Sequence, residues 1–115
     1  MTPESIFTNK LVALSERKQL QNKVASRDLY DVYFFFKHHF PLNERIIKER
    51  TGKNLKEYLN FLLDFIPKHF NQENILRGLG ELVDEKQKYW IKKNLLSETL
   101  GYIQFALRNE LPMVT

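Results

Sequence analysis

Leu55, Tyr58, Leu59, Leu62 and Ile66 repeat at three- and four-residue spacing, and no segment alternates apolar and polar residues for long enough to make a strand. That periodicity constrains the fold more than any other feature, because a period of 3.6 buries one face of a helix and cannot line one face of a sheet. Only four glycines and four prolines punctuate the 115 residues, which leaves little material for the tight turns of a β-sandwich. The expected architecture is all-α: a compact bundle of five to seven helices with short connections. The size and the 43% hydrophobic content suit one domain, residues 1–115, with a core of its own.

Boundary residues set the expected elements. Thr2-Pro3-Glu4 reads as a helix start, with a hydroxyl cap, proline in the first turn and an acid at the positive end of the dipole. That helix carries Ile6, Phe7, Leu11 and Leu14 inward and frays near Gln19–Lys23. Ser26 is the expected cap of a second helix reaching about His39, before Pro41. Asn43 caps a short third helix, "ERIIKERT", closed by Gly52; Asn54 caps the fourth, which Pro67 ends. A fifth spans roughly Gln72–Val83, and the pattern leaves open a continuation through Trp90 to Lys93. The last helix carries Leu96, Leu100, Ile103 and Leu107 before Pro112.

Several function classes are disfavoured early. There is no cysteine, hence no disulfide or thiolate metal site, which fits a reducing cytoplasm. "MTPESIFTNK" has no apolar run and does not read as a signal peptide, and no stretch is long enough to span a bilayer. A net charge of +4 permits an RNA or nucleotide partner without requiring one.

The second helix opens "SRDLYD" and runs straight into "VYFFF". On a helical wheel Leu29, Val32, Tyr33 and Phe36 form the core stripe, whereas Phe34 and Phe35 point elsewhere and Asp31 falls between them. Asp28 is Asp31's neighbour three residues earlier, and Arg27, four before Asp31, is placed to pair with it. Two readings stand at this point. Asp28 can serve the helix dipole while Arg27–Asp31 forms an ordinary helical ion pair. Alternatively, carboxylates set against phenylalanines need a fixed partner, and such partnered charges gather at functional sites. Lys10, beside Leu11 and Leu14 on the first helix, is the candidate second cation, or else a lysine laying its stem along the apolar face.

"NKLVALSERK", a short gap, then "SRDLYDVYFF" resembles the C-terminal signature of the AbiEii/AbiGii family of nucleotidyltransferase-like toxins. The matching positions are Lys10, Leu11, Ala13, Leu14 and Arg17, followed by Arg27, Asp28, Leu29, Tyr30 and Asp31, within Asn9 to Phe36. The resemblance implies the helical half of a two-part enzyme that transfers a nucleotide to an RNA or protein acceptor. It casts Lys10, Asp28 and Asp31 as catalytic residues, with Lys10 on phosphate and the aspartates orienting it or completing an acidic cluster. Arg17 and Arg27 would bind substrate. For a complete enzyme it implies magnesium and a nucleoside triphosphate, and an antitoxin-like partner protein.

The chain departs from the family pattern in two ways. Asn9 stands where members usually carry an acid, and no Gly-Ser turn precedes an Asp-x-Asp pair. A magnesium-dependent transfer needs carboxylates on a rigid scaffold and backbone amides around the phosphates. The chain is therefore expected to be inactive alone and to bind no cofactor by itself. It would be a fragment, a split subunit or a degenerate copy, or Met1 would not be the native start. The alternative is a non-catalytic helical interaction or RNA-binding module. Its apolar face would then meet a partner chain, whereas a bundle missing its α/β half would expose an apolar patch and self-associate.

The remaining motifs are weaker. "TGKN" at 51–54 lacks the spacing and the Ser/Thr of a phosphate loop, and Gly78-x-Gly80 suits a bend or close packing. His38, His39 and His69 lack metal-ligand spacing and suit solvated helix ends. Arg45, Lys48, Lys53 and Lys56 form one basic cluster, and Lys86, Lys88, Lys92 and Lys93 surround Tyr89-Trp90 in a second. Both suit RNA contact through phosphates and stacking, although Glu44, Glu49, Glu57 and Glu85 are interspersed and Trp90 also suits a core anchor.

Overall fold

The computed structural model describes residues 2–108 and 113–114. Among the described residues seven α-helices follow one another: α1 Pro3–Gln21, α2 Ser26–Lys37, α3 Glu44–Thr51, α4 Leu55–His69, α5 Gln72–Leu79, α6 Glu85–Trp90 and α7 Leu96–Leu107. The expected all-α class holds. Two two-residue strands, β1 Leu42–Asn43 and β2 Met113–Val114, pair in parallel and are too short to leave an alternating pattern. Pro112 lies outside the described residues. Among the described residues no helix is long and apolar enough to cross a membrane.

α1 is the central strut. Phe7, Leu11 and Leu14, all fully buried, meet α2, while Thr8, Val12 and Ser15 form a second buried stripe toward α3 and α4. Two short polar contacts sew that second stripe. The Thr8 hydroxyl accepts from the Asn43 amide at 2.8 Å, and the Ser15 and Tyr58 hydroxyls lie 2.8 Å apart. On α2, Leu29, Val32 and Phe36 are fully buried and Tyr33 nearly so, whereas Phe34 is 48% exposed.

The caps at Thr2, Asn43 and Asn54 form as expected, and Gly52 closes α3 with φ +75°. Ser26 does not cap α2. It is the first helical residue, and its buried hydroxyl donates to the Asn74 carbonyl of α5 at 3.1 Å. A buried hydroxyl must find an acceptor, and here the tertiary one prevails over the local amide. Pro67 does not end α4 either. It lies in the last turn on the exposed side, so the missing N–H costs one solvent-facing hydrogen bond and the helix continues to His69.

The expected rod from Gln72 onward is broken. Gly80 adopts φ +46°, a 3₁₀ turn follows over Gly80–Leu82, and Asp84 restarts the chain in a reciprocal capping box with Gln87. From α6 the helix passes into α7 through a wide π turn, Ile91–Leu95, rather than a loop.

Gly78 is where α5 touches the start of α2. A Cβ added there would lie 2.4 Å from Ser26 Oγ and 2.6 Å from Ser26 Cβ. Gly78→Ala should therefore push α5 off α2 and cost about 1–3 kcal/mol. In urea titrations, Ser26→Gly added to that variant should recover part of the loss. Equal midpoints for Gly78→Ala and the parent would show that the two helices are not in this contact.

Candidate functional site

The crossing of α1 over α2 brings two cations against two acids. The Phe7 ring stands edge-on to Phe36, with centroids 4.8 Å apart, and stacks on Phe35 at 5.3 Å. With that apolar crossing seated, the polar edge of α1 faces the first turns of α2. Lys10 Nζ donates to Asp31 Oδ2 at 2.8 Å and reaches Asp28 Oδ1 at 3.5 Å. Two turns along α1, Arg17 Nε donates to Asp28 Oδ2 at 2.5 Å.

The four side chains are not equivalent. Asp28 is 8% exposed, whereas Asp31 is 42% exposed. The carboxylate that needs fixed cations is thus Asp28, and it holds one on each oxygen. Asp31 is not sunk between phenylalanines, since its neighbour Phe34 faces solvent. It acts on Lys10. The pKa of the Lys10 ammonium is held above its ordinary value of 10.5, first by the hydrogen bond it donates to Asp31, with partial burial opposing and the charges of Asp31 and Asp28 adding to the rise.

Arg27 does not pair with Asp31 as its spacing suggested. Lys10 occupies that carboxylate from the neighbouring helix, and Arg27 stays exposed at the groove edge. Open grooves flank the α1–α2 bridge on both sides. The larger, about 650 Å³, is lined by Lys10, Arg17, Lys23 and Arg27 against only Asp28 and Asp31. Its charge balance favours an anion. The smaller, about 300 Å³, adds Glu16 and Arg50.

Arg50 is the residue that sequence reasoning passed over. It reaches from α3 to donate to Asn9 Oδ1 at 2.6 Å and also holds Glu16. Asn9, the departure from the family's acidic position, is thereby tied to a guanidinium. The one available signal was its isolation: within its own helix, Glu49 and Glu44 are not at the i−4 or i−3 spacing that would have satisfied Arg50 locally.

The four residues of the first basic cluster, Arg45, Lys48, Lys53 and Lys56, are all exposed, and none lines either groove at Lys10. Lys48 Nζ turns back to the Gly52 carbonyl at 3.2 Å, and Lys53 lies over the Phe61 ring at 5.5 Å. Glu44 and Glu49 share their groove with Arg45 and Lys48, so the patch is of mixed sign. His38 and His69 lie against the rings of Phe34 and Phe65.

Among the described residues no group of three or more His, Asp or Glu side chains converges as a metal site would require. Asp28 and Asp31 are each already engaged by a cation. This pair does not fit a magnesium ion, which wants free carboxylate oxygens and its own waters. What the arrangement can do is hold a lysine ammonium charged and fixed at the mouth of an anion-attracting groove.

A family model described as nucleotidyl transferase AbiEii toxin, type IV TA system, matches residues 1–98. No curated protein and no solved structure matches the chain. The matched span runs from α1 into the start of α7 and contains all four residues of the bridge.

Proposed function

The chain belongs to the AbiEii family of nucleotidyl transferase toxins of type IV toxin–antitoxin systems, and from that premise we propose that it is the helical part of such a transferase, with Lys10 as its phosphate-binding residue. The observation that carries this reading is the bridge itself. The family's lysine and its Arg-Asp-Leu-Tyr-Asp helix meet through Lys10 and Asp31 at 2.8 Å, beside a groove with a surplus of cations. Asp31 keeps Lys10 charged and aimed. Arg17 clamps Asp28, so the acid steadies the lysine instead of attracting a metal. Arg27, unpaired among the described residues at the groove edge, is positioned to add a second phosphate contact.

Metal-holding carboxylates and a phosphate-cradling turn belong, in this reading, to an α/β part carried on another segment or chain. The residues described here supply binding and orientation but not the full transfer of a nucleotide to an RNA or protein acceptor. An antitoxin-type partner and a partner that supplies the missing part are proposals of the same standing.

The test is nucleotide binding. The chain should bind a nucleoside triphosphate measurably by calorimetry yet transfer no label from it, with magnesium present, to RNA or protein. Lys10→Ala should weaken binding about tenfold or more, the scale of one charge-assisted hydrogen bond. Arg17 still holds Asp28 in that variant, so the fold should survive. Equal affinity in the parent and in Lys10→Ala would reduce the bridge to a strut joining α1 and α2.

A further inference from the structure

A separate groove, of about 320 Å³, lies between α2 and the start of the α6–α7 segment, and its walls are aromatic. Tyr30 and Tyr33 come from α2 and Trp90 from the end of α6; Lys37 and Lys86 contribute one cation from each side, with Gln87 beside them. The Trp90 and Tyr33 rings are 4.9 Å apart and tilted by 52°. Lys37 Nζ stands 5.9 Å from the Tyr33 ring centre. Among the described residues no carboxylate lines this groove, although Glu98 acts on Tyr33 by its charge, and neither Lys37 nor Lys86 is in an ion pair. The nearest acid in sequence, Glu85, is taken by Lys88 at 3.3 Å.

The local backbone adds an independent observation. Trp90 immediately precedes the π turn Ile91–Leu95. The extra residue in that turn keeps Ile91 and Leu95 in the core and leaves Trp90 half-buried at the groove wall. A π turn is poorer in backbone geometry than the α-helix it interrupts, and such turns collect at functional sites.

We propose that this groove binds a nucleobase together with its phosphate. Aromatic side chains stack on any base because every base has a π face, and lysines supply the sequence-independent phosphate contact. The volume is at the small end of ligand pockets, which suits one nucleotide rather than several. The nucleotide has two sources, a free mononucleotide or one unpaired residue of an RNA strand. The strand has a route to the Lys10 groove along α2, since Tyr30 is followed by Asp31 and preceded by one turn by Arg27. Only Lys86 of the four lysines around Tyr89-Trp90 lines this groove; Lys93 Nζ stands 4.9 Å from the centre of the Tyr89 ring. The inference rests on these residues and not on the role given to Lys10.

Trp90 is the single tryptophan of the chain, so its fluorescence reports on this groove directly. The chain should be titrated with AMP and, separately, with a short single-stranded oligoadenylate. Saturable quenching is expected from at least one of them. Lys37→Ala combined with Lys86→Ala should weaken it about tenfold and lower the salt slope by about 1 for each lysine that contacts a phosphate. Both lysines are exposed, so the variant keeps its fold. Quenching by AMP and oligoadenylate alike assigns a mononucleotide site, and quenching by the oligoadenylate alone assigns a strand site. No quenching by either overturns the proposal, as does quenching that the double variant leaves unchanged. Lys10→Ala should leave the quenching of Trp90 by AMP as it is in the parent, because Lys10 does not line this groove, which separates failure here from failure at the Lys10 groove.

Discussion

Phe36→Ala should lower the folding stability of the chain by about 3–5 kcal/mol, the usual cost of emptying a buried phenylalanine site. The ring is fully buried, edge-on to Phe7 at 4.8 Å and stacked on Tyr102 at 5.6 Å. It is therefore the point at which α1, α2 and α7 meet, and three helices cannot close on the cavity together. Against a typical total of about 5–15 kcal/mol the loss is large. Phe34→Ala, two residues earlier but 48% exposed, should stay within about 0.5 kcal/mol of the parent. Urea midpoints measure both. Equal losses would mean that α2 does not face inward as described. Because the same crossing aligns Lys10 with Asp31, Phe36→Ala should also weaken nucleotide binding, although no atom of the ring lines the groove.

The second large effect is alkaline. Burial pushes the Tyr58 phenol up to about 12, with the Ser15 hydrogen bond working against the rise. In the unfolded chain the phenol ionises near its ordinary value of 10.0. Below that pH both states hold the proton and the contribution to stability is whole. Above it the unfolded state releases its proton first, so stability falls as pH rises from 10 toward 12. The full difference is worth about 3 kcal/mol. Tyr33, raised by burial, and Lys10, raised by Asp31, act in the same direction.

Tyr58→Phe separates the contributions. The variant loses the contact between the two hydroxyls and should be about 1 kcal/mol less stable near pH 8. The Ser15 hydroxyl retains the Val12 carbonyl as its acceptor, at 3.3 Å. Between pH 10 and 12 its stability should decline less steeply than that of the parent, and stability curves that stay parallel across this range would remove Tyr58 as the cause.

Much of the fold was legible because its signals act within one turn of chain. Asn43, Asn54 and Gly52 each bind or bend backbone three or four residues away, and each stands where its residue type indicated. The misreadings occurred where a distant partner intervened or a local cost was small. Ser26 gave up a cap for the Asn74 carbonyl, and Pro67 sat on an exposed face where its missing donor cost little. The break at Gly80 was ambiguous in the pattern because Leu79 and Leu82 continue the helical spacing on either side.

The candidate site divides the same way. That Lys10 belongs with Asp31 could be seen from the two motifs, since each lies on the polar edge of a helix whose apolar stripe faces the other. Which acid is the buried one could not. Asp28 and Asp31 are neighbours on one face, and only the angle at which α1 crosses decides that Arg17 and Lys10 close over Asp28 while Asp31 stays half in water. Arg27 lost its expected partner for the same reason, because a cation from another helix arrives without the constraint of i,i+4 spacing. The partners of Arg50 and the Tyr30–Trp90 groove were beyond reach, since their parts come from separate helices.

By itself, then, the sequence determined the helices, most of their ends, their inward stripes and the family, all properties carried by near neighbours or by whole motifs. Only the tertiary structure decided which acid is buried, where Arg17, Arg27 and Arg50 reach, and where the grooves lie. Those depend on the register and crossing of helices, which the packing of Phe7 against Phe36, Gly78 against Ser26 and Tyr58 against Ser15 sets across the core.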